Sequence, residues 1–192
     1  MLAILIGLPT WYVIGILINY SNRFAGVFYK DGPLDSGRSI MYAYVAISIG
    51  DILIGLLSQW LKSRKKALFI CYGLCVLFTC LFFSPFNHNN NTMYFICSML
   101  GFSTGFWAIF VTMGAEQFGT NLRSTAATTV PNMVRGSLPL MNLLCFNFFK
   151  QTLDLSLIQS AIITGIIVII ISIIAAYFTE ETFNKDLNYI EM

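Results

Sequence analysis

The chain has 192 residues, 57% hydrophobic and only 10% charged, with a mean hydropathy of +0.73; an ordinary soluble domain carries about 25% charged residues. So much apolar surface cannot be hidden inside a soluble protein of this length, so lipid is the expected solvent. The net charge of +2 is too small to draw nucleic acid and matters only through where the cations lie.

The first apolar run spans about 2–20, long enough to cross about 30 Å of hydrocarbon. It contains Pro9, which lipid-buried helices tolerate when neighbours satisfy the freed carbonyl. No basic segment or small-residue cleavage site accompanies it, so a cleaved signal peptide is not expected. A polar connection with the turn signal Asp31-Gly32-Pro33 follows.

The second run, about 39–61, carries Asp51, then Gly55 and Ser58, and stops in Lys62, Arg64, Lys65 and Lys66. A cationic cluster abutting a hydrophobic run predicts the cytoplasmic end of a transmembrane helix. The third run spans about 67–84, and the short basic loop makes it an antiparallel neighbour of the second. A hydrophilic loop with the only histidine, His88, leads to the fourth run, about 93–114, rich in small residues at Gly101, Ser103 and Gly105; such residues let helices approach closely in lipid. The fifth run, about 125–149, holds Pro131, Asn132, Arg135, Pro139, Asn142 and Asn147. The sixth, about 157–178, is almost pure Ile, Ala and Val, and a charged tail occupies 179–192.

These runs predict an all-α membrane protein, a single bundle of six transmembrane helices. An even number of spans puts both ends on one side. That side carries Lys62, Arg64, Lys65, Lys66, Arg123 and Lys185, against Arg23, Lys30, Arg38 and Lys150 on the other. Both termini are therefore expected in the cytoplasm, with the chain in the cell membrane.

Arg135 lies about 16 Å into the fifth run, near mid-membrane. A charge there costs about 3 kcal/mol or more, so it should face a cavity or a partner. It is a substrate or coupling cation, or half of a structural ion pair. Asn132, Arg135 and Pro139 share one helix face, and Asn142 continues the polar series. Asp51, about 15 Å from the basic loop, is either a proton-coupling carboxylate or a cap for polar groups; a pair with Arg135 is open. Trp107 packs or stacks on a ligand. The five cysteines fall in apolar runs and read as small buried hydrophobes. Cys71 and Cys75 share a helix face without a His or acid beside them, so no metal or cofactor is expected. No metalloprotease His pair, phosphate loop or intramembrane Ser–His pair is present, which argues against an enzyme.

Three stretches resemble the carboxyl-terminal half of a major facilitator superfamily transporter, of the sugar-porter and metabolite-symporter kind. Gly55-Leu56-Leu57-Ser58 through Ser63-Arg64-Lys65 is similar to the loop signature Gly-x-Leu-x-Asp-Arg-x-Gly-Arg-Lys, with Gln59 and Trp60 in place of the Asp and Arg. Glu116-Gln117-Phe118-Gly119 to Arg123 resembles a Glu-x-Phe-Pro-x-x-x-Arg loop, with Gly119 for the proline. Glu181-Thr182-Phe183 through Ile190-Glu191 resembles the Pro-Glu-Thr-x-Gly-x-x-Leu-x-x-Ile-Glu tail, with Glu180 for the proline. The tryptophan-bearing run of sugar porters is absent from the fourth helix. The resemblance implies a three-plus-three inverted repeat, alternating access, a small polar solute with proton coupling as one mode, and a cytoplasmic gating or helix-end role for Gly55, Arg64, Lys65, Glu116 and Arg123. It also implies a partner, the missing amino-terminal six-helix half; with Met1 just ahead of the first run, the chain reads as a fragment, a split gene or a truncated transporter. The competing reading is a non-transporting membrane partner or scaffold, or an inactive fragment.

Overall fold

The structure is a computed structural model and describes residues 2–28, 34–84 and 89–184. The described residues form helices and no strands, in the order α1 (Leu2–Ile6), α2 (Leu8–Tyr12), a π-helical segment π1 (Val13–Ile18), α3 (Ser21–Phe28), α4 (Ser36–Trp60), α5 (Arg64–Phe82), α6 (Asn90–Ser103), α7 (Trp107–Glu116), α8 (Arg123–Gly136), α9 (Leu138–Asn142), a second π segment π2 (Leu143–Thr152) and α10 (Leu157–Phe178). Among the described residues, four helical stretches are long and apolar enough to cross a membrane: Ser36–Trp60, Arg64–Phe82, Asn90–Glu116 and Leu157–Phe178. His88, the Asp31-Gly32-Pro33 turn and the tail beyond Asn184 lie outside the described residues.

Helix starts follow local capping chemistry. Asp35 accepts from Gly37 N at 2.8 Å ahead of α4, Ser63 from Lys66 N at 3.2 Å ahead of α5, and Asn89 from Thr92 N at 2.8 Å ahead of α6. Ser156 and Gln159 form a reciprocal capping box at α10. Lys62 adopts φ 48° and turns the chain sharply from α4 into α5. Arg64, Lys65 and Lys66, expected in a loop, are therefore the first turn of α5.

The first and fifth stretches are interrupted. Pro9 has no N–H to offer Leu5 O, and Thr10 N turns to Gly7 O (3.2 Å) instead of Ile6 O. Both freed carbonyls find other helices: Ser172 Oγ donates to Leu5 O at 2.8 Å and Tyr72 OH to Ile6 O at 2.7 Å. Away from water such groups must be satisfied internally, so the break ties α1 to α10 and α5. In the fifth stretch Pro131 stays inside continuous α8, and the interruption falls at Ser137, just before Pro139.

The residues of α1, α2 and π1 are buried almost all round, and Tyr12 donates from its buried hydroxyl to Ala161 O at 2.9 Å. α6 packs along α4 and against α5. Its contact with α4 is a seam of small residues. A methyl on Gly101 would strike the Ala43 backbone, and one on Gly105 would lie 2.6 Å from Gly50 Cα. The α6–α7 break at Thr104–Phe106 sits against this seam. Four cysteines are buried, whereas Cys80 points outward from α5; it shares no face with Cys71 and Cys75.

The glycines of α4 and its seam separate cleanly. Gly105→Ala drives a methyl into backbone that cannot yield, so it should destabilise the chain by about 1–3 kcal/mol. At Gly55 a methyl would meet nothing within 4 Å, so this position should accept alanine with a gain of about 0.5–1 kcal/mol. Thermal unfolding in detergent, followed by the monodisperse fraction on size exclusion, distinguishes the two; equal losses would remove the seam as the cause.

Candidate functional site

Two groups of functional candidates stand at different depths. The first gathers at one end of the bundle. Arg64, at the start of α5, donates from Nη2 to Glu116 Oε1 at 2.6 Å, joining α5 to the end of α7. The pair is largely shielded, with side-chain exposures of 15% and 10%. Lys65 Nζ donates to Tyr177 O at 2.9 Å and Thr179 O at 2.7 Å. It therefore satisfies carbonyls at the end of α10, where a cation also suits the helix dipole. Arg123 Nη2 reaches Phe118 O at 3.4 Å and braces the α7–α8 turn.

Glu181 completes this end. Its carboxylate accepts from Ser63 Oγ, from Arg64 N at 3.0 Å and from Lys65 N at 3.2 Å, and so caps the start of α5 from the far end of the chain. Burial alone would raise this carboxyl, but hydrogen bonds from Ser63 and from the Phe183, Lys65 and Arg64 amides outweigh it and hold it below the ordinary glutamate value of 4.5. Sequence reasoning noted the Glu181 motif without its partners. Three cations at a helix start, where the dipole disfavours them, were the signal that a carboxylate had to arrive from elsewhere.

The second group joins the first and fifth stretches to α7. The Arg135 guanidinium sits over the Trp11 ring at 5.1 Å. Trp11 meets Trp107 edge-on at 6.3 Å, and Trp107 leans on Phe110 at 5.0 Å. The first and fifth stretches thus meet α7 in one aromatic cluster. Trp11 Nε1 is buried with no acceptor among the described residues, while Arg135 and Asn132 are exposed. Asn132 Nδ2 donates to Thr128 O at 2.9 Å, within its own helix.

Asp51 is engaged elsewhere. Its Oδ1 accepts from Ala108 N at 3.1 Å and caps the restart of the broken helix at α7. Among the described residues Asp51 and Arg135 form no ion pair: the carboxylate holds a helix start, and the guanidinium holds an aromatic face. Gly55 lies on α4 with open space beside it. Asn142, half-buried on α9, has an Oδ1 without a partner and belongs to a separate polar cavity at the other end of the bundle.

Comparison with protein-family models, with curated proteins and with solved structures finds no match for this chain. Among the described residues no group of three or more His, Cys, Asp or Glu side chains is placed to hold a metal ion.

The shielded Arg64–Glu116 pair and the Glu181 cap respond differently to change. Arg64→Ala strands the Glu116 carboxylate, and removing one partner of a buried pair costs about 3–5 kcal/mol; Arg64→Leu with Glu116→Leu together should recover most of it in thermal unfolding. A double variant as unstable as Arg64→Ala would mean that the pair itself, and not the stranded charge, carries the loss.

Because the docked Glu181 carboxyl titrates below its free value, its contribution is fully present above pH 4.5 and fades as the pH falls through the lower docked value. Tail proteolysis in detergent should accelerate on acidification below that value, and Glu181→Gln should be equally cleavable at neutral and acid pH. Unchanged protection in the variant would separate the tail's docking from this carboxylate.

Proposed function

We propose that the chain is one six-helix half of a secondary active transporter, resembling the carboxyl-terminal half of the major facilitator superfamily, and that it moves a small polar solute by alternating access against a second six-helix half. The observation that carries this reading is the Arg135–Trp11–Trp107 cluster. A cation at membrane depth is costly unless it serves a partner or cavity, and here it is exposed over an aromatic face, with no carboxylate paired to it among the described residues. Interrupted helices are a recurrent way to build transport sites near the midplane, and Arg135 and Trp11 stand on the two stretches that π segments interrupt. In this reading the six runs span the cell membrane as a three-plus-three repeat. The end holding Arg64, Lys65, Glu116, Arg123 and Glu181 faces the cytoplasm, where it latches helix ends that rock together, and the open space at Gly55 receives the other half.

The Asp51 carboxylate cannot release the Ala108 N–H without loosening the start of α7. Proton coupling through Asp51 would therefore act on that helix and not on the solute directly.

Proteoliposomes carrying the chain with its membrane partner, retained by crosslinking before extraction, should accumulate a labelled polar solute. Arg135→Ala should cut the initial rate at least tenfold while the protein stays monodisperse. Equal rates would remove Arg135 from the solute path. A stable complex with no flux across a solute panel would replace transport with a scaffold or partner role.

A further inference from the structure

At the end of the bundle opposite the Glu181 cap, α3, α9 and π2 enclose an open cavity of about 460 Å³. Its geometry follows from the fifth stretch. Pro139 sets the start of α9, and the wider π2 coil then carries Asn147, Lys150 and Gln151 toward the end of the first stretch. Tyr20 and Phe146 meet edge-on at 4.7 Å and form the apolar floor. The Arg23 guanidinium lies over the Tyr20 ring at 4.9 Å, which holds it at the cavity wall.

Among the described residues the lining carries two cations, Arg23 and Lys150, three amides and no carboxylate. Among the described residues neither cation is ion-paired. Two like charges facing one polar concavity repel each other and concentrate anions there. Asn142 is half-buried in the lining. Its Oδ1 is buried and accepts nothing, and an unmet acceptor of that kind costs about 1–3 kcal/mol until a donor arrives.

We propose that this cavity is the entry site for a small organic anion, a phosphate or carboxylate carried on a backbone with at least one hydroxyl or amine. The anionic group lies between Arg23 and Lys150, where a guanidinium fork and an ammonium both donate. The hydroxyl or amine donates to Asn142 Oδ1, and Asn147 and Gln151 line the flank. The site names the solute class for the transporter proposed above and rests on that reading for the word solute; as a binding site it stands on the cavity alone. An anionic lipid headgroup has the same chemistry and is the other source from which the anion can come.

The full chain in nanodiscs of neutral phosphatidylcholine should bind radiolabelled glycerol 3-phosphate saturably. Glycerol should not compete, and inorganic phosphate, lacking the carbon-borne hydroxyl, should compete at least tenfold more weakly. Arg23→Gln with Lys150→Gln should weaken glycerol 3-phosphate binding at least tenfold. Asn142→Leu should erase the preference over inorganic phosphate, and Arg38→Gln, an exposed α4 cation outside the cavity, should stay within twofold. The variants sit at exposed or half-buried positions, and a matched size-exclusion profile and helical circular dichroism confirm their fold. In discs containing phosphatidylglycerol, competitive loss of binding that depends on Arg23 and Lys150 assigns the anion to the headgroup; unchanged binding assigns it to the soluble solute.

No saturable binding, competition by glycerol equal to that by glycerol 3-phosphate, or a double variant within twofold of the parent overturns the site. Binding that behaves as described, with no flux in the partnered proteoliposomes, sinks the transport reading and leaves the anion site standing. Flux of uncharged solutes with no glycerol 3-phosphate binding does the reverse.

Discussion

Three cations in succession, Arg64, Lys65 and Lys66, occupy the first turn of α5, where four backbone N–H groups lack intrahelical partners and the dipole is positive. Such a start is unstable unless negative charge and acceptors are brought to it. Glu181 brings both, accepting two of those N–H groups and the Ser63 hydroxyl. With the helix start neutralised, the two side chains are free to act outward. Arg64 reaches back to Glu116 at the end of α7, and Lys65 reaches the last carbonyls of α10. Three helix ends distant in sequence are joined through one turn, and each contact matches a charge to the dipole it meets.

The seam between α4 and α6 applies a different constraint to the interior. Gly50 and Gly105 let the backbones approach to within the room of a hydrogen atom, and lipid offers no hydrophobic drive to replace such packing. The helical ladder fails at Thr104–Phe106 beside this seam, and the first free amides of α7 need an acceptor at membrane depth. Asp51, the residue after Gly50, supplies it to Ala108 N. One close approach therefore accounts for the position of the break and for an acid within an apolar helix.

What was legible in the sequence was what neighbouring residues decide. The α10 span follows from its apolar run and from Ser156 and Gln159, whose capping box is local. The polar character of the fifth stretch and the charged positions Arg64, Glu116 and Arg135 are also visible along the chain. Their partners are not. Arg135 meets Trp11, more than a hundred positions away, and Asp51 meets a backbone amide that carries no side-chain signature. The extension of α5 back through Arg64 depends on Glu181 from the tail, so the cationic run alone reads as a loop. The π segments leave no period to read, because their wider coil shifts the register of an otherwise ordinary apolar pattern.

The long helices α4, α5 and α10 keep continuous ladders, and the polar side chains they bury are hydroxyls, Ser39 and Ser58 on α4 and Ser160, Thr164 and Ser172 on α10. The irregular first and fifth stretches carry Trp11, Tyr20 and Arg23 on one, and Asn132, Arg135, Asn142 and Lys150 on the other. They also pack on each other: a methyl on Gly7 would lie 3.0 Å from Val134 Cγ1, and one on Gly15 would strike Leu138. The Pro9 break is anchored by Ser172 and Tyr72 from the scaffold helices. The Arg135–Trp11 cluster and the Arg23–Lys150 cavity stand at successive depths along this same pair. In the transport reading proposed above, a solute bound at the cavity would next meet Arg135, a third cation on the same pair of stretches.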